Sequence, residues 1–139
     1  MTDFREKYLA TRYSVHTSPG FTLQVGIPCD QLRRLMSVWT LPRGCYITAF
    51  NPKSQLLSHA ENTPLNDLLF EDLKKYSVGL VPLPGTAYGE NGWHEHSYLA
   101  FGPTLKQARQ LARKYQQNAF LWFDENATPE LIFTKGSTA

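Results

Sequence analysis

The spacing of apolar positions changes several times along the chain, and each change marks an element. Arg12-Tyr13-Ser14-Val15-His16 alternates polar and apolar residues, and Phe21–Val25 does the same with Phe21, Leu23 and Val25 on one face. Thr17-Ser18-Pro19-Gly20 between them is turn chemistry, so the two segments read as an antiparallel hairpin. The period then lengthens. Leu32, Leu35, Met36 and Trp39 recur at helical spacing behind Asp30, a good N-cap residue, while Arg33, Arg34 and Ser37 lie off the stripe. The apolar run from Cys45 to Phe50 reads as a buried strand, closed by Asn51-Pro52 because proline has no amide to continue a ladder.

Ser58-His59-Ala60-Glu61 has the form of a capping box, and Thr63-Pro64 offers a second helix start. The expectation is one short turn from Ser58 and a main helix from Thr63, with Leu65, Leu68, Leu69, Leu73 and Tyr76 facing the core. A strand over Val78–Leu83, a long glycine-rich loop over Pro84–Gly92 and a strand over His94–Phe101 follow. Thr104 and Gln107 form another capping box, and Leu105, Ala108, Leu111, Ala112 and Tyr115 are the inner face of a helix running to about Gln117. Strands over Ala119–Phe123 and Glu130–Thr134 pair across an Asp124–Pro129 turn. Residues 2–10 add one or two helical turns, with Asp3 as cap and Phe4 and Tyr8 on one face. The order is therefore ββαβαββαββ after that short helix. It predicts an α+β fold, a single mixed, mostly antiparallel sheet packed with three main helices. The predicted domain spans 1–134, and 135–139 is a polar tail expected to be disordered.

Composition narrows the function classes. A chain of 139 residues fits one domain with a core of its own. Net charge is +2, too small to argue for nucleic acid, so that partner has only weak support. Cys29 and Cys45 form no CxxC unit and no Cys/His cluster has zinc spacing, which predicts two buried free thiols, no metal and no cofactor. The first residues contain no apolar h-region and no run approaches ~20 apolar residues, which predicts a cytoplasmic protein with no membrane partner.

Ile47-Thr48-Ala49-Phe50-Asn51-Pro52, Ser54, Glu61-Asn62, Asn66, the pair Glu95 and Ser97, Gly102 and Gln117-Asn118-Ala119 resemble the bacterial family catalogued as domain of unknown function 3293. The resemblance runs over roughly Tyr8–Phe133, and its most specific part is the strand that ends in Asn-Pro. It implies a small bacterial cytoplasmic protein. It points to residues and brings no activity with them.

Several constellations could carry chemistry. Asn51, Ser54, Glu61, Asn62 and Asn66 crowd a strand–helix junction, where amides offer donors and acceptors to a small polar ligand, although the same residue types also cap backbone at strand and helix ends. On a strand, His94 and His96 share one face ~7 Å apart, and Glu95 and Ser97 share the other. Gln117 and Asn118 end a helix, and either they cap it, with Asn118 in the left-handed conformation, or Gln117 reaches a site beside Asn51. Lys106, Arg109, Arg113 and Lys114 form a basic stripe that is a solvated helix face or a phosphate contact. There is no GxSxG, no GxGxxG and no GxxxxGK[ST].

Three readings follow. A binding domain would hold a small polar ligand or a protein partner through Asn51, Ser54, Glu61, Asn62, Glu95, Ser97 and Gln117. An interaction protein of phage or toxin–antitoxin type would present an exposed aromatic surface around Tyr88 and Trp93. A small nuclease-like or phosphoryl-transfer enzyme would pair Glu61 or Glu95 with His94 or His96, with Lys53 steadying phosphate.

Overall fold

The computed structural model describes residues 4–135. The capping role expected of Asp3 and the tail residues 136–139 lie outside the described residues. The elements run α1 (Phe4–Ala10), β1 (Arg12–Val15), β2 (Phe21–Leu23), α2 (Asp30–Trp39), β3 (Gly44–Ile47), α3 (His59–Lys74), β4 (Leu83–Tyr88), β5 (His94–Phe101), α4 (Leu105–Lys114), β6 (Ala119–Phe123) and β7 (Glu130–Phe133). The seven strands form one sheet in the order β2-β1-β4-β5-β3-β6-β7, and every pairing is antiparallel. The fold is α+β, as the periodicities predict.

Alternation along the strands splits the core in two. On one face Tyr13, Val15, Leu23, Tyr46, Leu99, Phe101, Leu121 and Phe123 pack with Leu32 and Met36 of α2. On the other, Cys45, Ile47, Ala100 and Phe120 pack with Leu69 and Leu73 of α3 and Ala108, Leu111 and Ala112 of α4. Each large aliphatic side chain so buried contributes roughly 1.5–3 kcal/mol. Cys29 and Cys45 are free and buried, and burial pushes the Cys45 thiol up to about 12.

Three expectations about the central region need correction. First, α3 is one continuous helix from His59, not a short turn followed by a helix from Thr63. The Ser58–Glu61 capping box closes in both directions, at 3.1 and 3.0 Å. Pro64 removes only the amide that would reach the Ala60 carbonyl, and both residues are exposed, so solvent takes the freed acceptor. The inner face of α3 also differs. Asn62, Asn66, Leu69 and Leu73 are buried, whereas Leu68 is exposed.

Second, β3 ends at Ile47, not Phe50. Beyond it, side chains replace the ladder. Asn66 Oδ1 accepts from the Ala49 amide at 3.0 Å, while the Thr48 hydroxyl and Asn66 Nδ2 both donate to the His96 carbonyl of β5.

Third, residues 78–82 are irregular and β4 occupies Leu83–Tyr88, most of what reads as a loop. Pro84 and Gly85 suggested a break, yet both fit. The His16 amide donates to the Pro84 carbonyl at 2.9 Å, so the missing proline amide faces the point where β1 ends. A Cβ on Gly85 would lie 2.3 Å from the Ser14 carbonyl oxygen and 2.8 Å from the Tyr46 hydroxyl. Glycine is required because Tyr46 lies across β4 to donate to the Ser14 carbonyl at 2.8 Å.

Two helix ends also shift. Cys29, not Asp30, is the N-cap of α2, and Trp39 at its last turn is half exposed instead of facing the core. The left-handed residue after α4 is Gln116 (φ 56°), not Asn118, which donates to the Ser54 hydroxyl at 2.6 Å.

Candidate functional site

The α2 face of the sheet is not filled from end to end. Helix α1 lies over the part that α2 leaves uncovered, and between them is a cavity of about 210 Å³. Register explains its floor. Tyr13 of β1, Ala87 of β4 and Glu95 of β5 are mutual cross-strand neighbours on one face, and Tyr46 of β3 is opposite Leu121 of β6 on that same face. Lys7, Tyr8 and Thr11 bring α1 over it, and Trp93 forms a wall. The Trp93 ring lies against Gly89, where a Cβ would fall 2.5 Å from the ring, and the Lys7 ammonium sits 5.1 Å from its centroid.

Of the seven ligand-binding residues predicted from the sequence, Asn51, Ser54, Glu95, Ser97 and Gln117 line this cavity. Glu61 and Asn62 do not. Glu61 is exposed, and its carboxylate closes the capping box, which holds it below the usual carboxylate range. Asn62 is 2% exposed and lies behind Asn51. Its Oδ1 accepts from the Asn51 amide at 2.7 Å, and its Nδ2 donates to the Asn51 side-chain oxygen at 2.9 Å. Asn51 thereby holds a left-handed backbone (φ 49°), which asparagine tolerates better than most residues, and its Nδ2 donates to Glu95 Oε2 at 2.8 Å. The amide chain Asn62–Asn51–Glu95 thus ties α3 to the cavity carboxylate. Lys53 and Ser54 are also left-handed (φ 59° and 60°), so three of four consecutive residues at the rim hold strained backbone. Lys53 fixes the loop through its amide, which donates to the Gln116 carbonyl at 2.7 Å.

Glu95 is the carboxylate of this wall. Burial pushes it up to about 7, against the opposing pull of the Asn51 hydrogen bond and the Lys7 charge. Gln117 donates to the Phe50 and Tyr115 carbonyls at 2.9 and 3.1 Å. Ser97 is buried, and its hydroxyl donates to the Glu95 carbonyl at 3.2 Å.

Among the described residues neither carboxylate of the enzyme reading is hydrogen-bonded to a histidine: Glu95 accepts from Asn51 and Glu61 from the Ser58 amide. His94 and His96 point to the sheet face opposite Glu95, as alternation on β5 requires. All four histidines of the chain meet on that other face. His96 is 5.5 Å from His59 and 6.1 Å from His94 by ring centroids, and His16 Nε2 is 3.0 Å from the Thr86 hydroxyl. Burial, with the neighbouring His59, His94 and His16, lowers His96. No group of three or more His, Cys, Asp or Glu among the described residues is arranged to hold a metal.

The basic stripe on α4 is partly used within the fold. Arg109 donates to the Phe133 carbonyl, Arg113 to the Thr134 carbonyl, and Lys114 pairs with Asp72 at 2.7 Å. Of the predicted aromatic surface, Tyr88 is half exposed, whereas Trp93 belongs to the cavity wall.

A family model described as protein of unknown function (DUF3293) matches residues 47–120, more than half of the chain. The chain belongs to this family. The DUF3293 segment contains the whole amide chain, Glu95, Ser97 and Gln117, whereas α1, Tyr13 and Tyr46 lie before it. No curated protein and no solved structure matches the chain. Among the described residues no helix is long and apolar enough to cross a membrane.

Sequence reasoning missed Tyr8, Thr11, Tyr13 and Tyr46. Alternation places Tyr13 on an inward face, but nothing local says that this stretch faces a cavity instead of filled core.

Proposed function

We propose that the chain is a binding domain that holds a small polar ligand in the cavity between α1 and the sheet. The observation that carries this reading is the convergence of Asn51, Glu95, Ser97 and Gln117, from three separate segments, on one cavity with aromatic walls. A fold selected for stability alone gains little from a half-buried carboxylate held against aromatic rings. The site offers a general base in Glu95 but no partner acid among the histidines, which favours binding over catalysis.

The test is a thermal-shift screen of small polar compounds against the wild type and Ala87→Leu, a variant that extends a side chain from the cavity floor. A ligand at 100 times its Kd stabilises the native state by about 2.7 kcal/mol. Compounds that raise the Tm of the wild type and leave the variant unmoved support the site. Compounds that stabilise both equally act elsewhere and contradict it.

A further inference from the structure

We infer that the group held in this cavity is an organic cation, an ammonium or guanidinium on a flat apolar body, seated between the Glu95 carboxylate and the Tyr13 and Tyr46 rings. This inference rests on the cavity being a binding site and specifies what it binds.

It follows from what the wall has left to offer. The hydroxyl hydrogens of Tyr13, Tyr46, Thr11 and Ser97 are all used within the fold, whereas the Lys7 ammonium and the Trp93 indole N–H donate to no protein acceptor among the described residues. The Tyr13 hydroxyl donates to the Tyr8 carbonyl at 2.8 Å, and the Tyr46 hydroxyl to the Ser14 carbonyl at 2.8 Å. The Thr11 hydroxyl donates to the Lys7 carbonyl and the Ser97 hydroxyl to the Glu95 carbonyl. Both hydrogen bonds donated by the Gln117 amide nitrogen go to backbone carbonyls, and Asn51 Nδ2 donates to Glu95 Oε2. Beyond those two donors, what remains beside the carboxylate are acceptors. They are Glu95 Oε1 and Gln117 Oε1, neither of which has a hydrogen-bond partner among the described residues. Such a wall asks for a ligand that brings hydrogens.

Charge points the same way. Lys7 is exposed at the rim with its ammonium over Trp93, so among the described residues no cationic side chain is buried in the cavity, and an anion would meet Glu95 with only that rim charge to offset it. The tyrosine faces carry the negative side of the ring quadrupole. Tyr13 and Tyr46 are fixed edge to face at 5.4 Å, so a cation beside Glu95 finds ring faces already in place.

Affinity for the cation should depend on the Glu95 charge. The groups that face Glu95 are Lys7 and Tyr8 of α1, Tyr13 of β1 and Asn51. Burial raises both tyrosines above their ordinary value, so they stay neutral, and Glu95 alone titrates near 7. Cation binding should therefore tighten ~10-fold between pH 6 and pH 8 as the carboxyl ionises.

The experiment is an NMR titration of the labelled full chain with benzylammonium, benzyl alcohol and benzoate. The expected result is that benzylammonium shifts the amides around Tyr13, Tyr46 and Ser97 and binds at least about ten-fold more tightly than benzyl alcohol. Benzoate should leave them unmoved. Glu95→Gln should lose the preference for benzylammonium over benzyl alcohol. If benzyl alcohol or benzoate occupies the cavity as tightly as benzylammonium, the cation inference falls while the binding site stands. If no probe shifts a cavity amide, both fall.

Discussion

Replacing Glu95 with glutamine should stabilise the protein above neutral pH and leave it unchanged in acid. The native carboxyl titrates at about 7 against an ordinary 4.5, because burial disfavours its charged form. Below pH 4.5 the group is protonated in both native and unfolded chains and costs nothing. Between 4.5 and 7 the unfolded chain ionises while the native one resists, so stability falls as pH rises. Above 7 the native carboxyl has ionised too and the loss is complete. The gap is worth about 3 kcal/mol at ~1.4 kcal/mol per pH unit. Glutamine has nearly the same shape, can accept the 2.8 Å bond from Asn51 and never ionises. Urea unfolding of both proteins from pH 4 to 9 measures the difference. The midpoints should coincide near pH 4, and the variant's should lie roughly 1.5 M higher at pH 8.5. Parallel profiles, or a wild type that is the more stable protein at pH 8.5, would refute the reasoning. Either would mean that Glu95 is solvated or paired with a cation in the free protein.

Asn62→Ala leaves the Asn51 amide without its acceptor and removes two further bonds from a residue 2% exposed, so urea unfolding should show a loss of about 2–4 kcal/mol. Gly85→Ala forces a Cβ against the Ser14 carbonyl and the Tyr46 hydroxyl, and should cost about 1–3 kcal/mol and disturb the tyrosine near-UV circular dichroism. Asp72 is held below its ordinary 3.8 by Lys114, Tyr115 and Lys75, which overcome the opposing effect of burial. The advantage of the wild type over Asp72→Asn should be present in full above pH 3.8 and vanish as pH falls through the lower native value, as acid unfolding curves of the pair would show.

The element order was legible because period 2 and period 3.6 alternate cleanly along this chain. The errors share a cause, namely local signals overridden by contacts distant in sequence. Gly85 and Pro84 read as breakers, yet the glycine is there to let Tyr46, 39 residues earlier, cross the strand. Cys45–Phe50 reads as one apolar strand, but beyond Ile47 the backbone amides of Ala49 and Phe50 donate to the side chains of Asn66 on α3 and of Thr48. The candidate site divides in the same way. Asn51 and Gln117 stood out by residue type at element ends, and Glu95 and Ser97 by strand alternation and the family resemblance. Separating Asn62, which supports the site from behind, from Glu61, which caps a helix, needs the direction of each side chain on α3. The aromatic wall could not be read at all, since a tyrosine over a cavity and a tyrosine in a core follow the same alternation. Nor does sequence spacing show that α1 covers the sheet where α2 does not.

The central claim is that small ligands enter the cavity between α1 and the sheet. Mapping amide chemical shifts of the full chain while titrating the compounds that stabilise it tests this most directly. The account expects the changes to gather at Thr11, Tyr13, Tyr46, Ser97 and Gln117, with α4 silent. Changes centred on His59, His94 and His96, or around Trp39 on the outer side of α2, would contradict it.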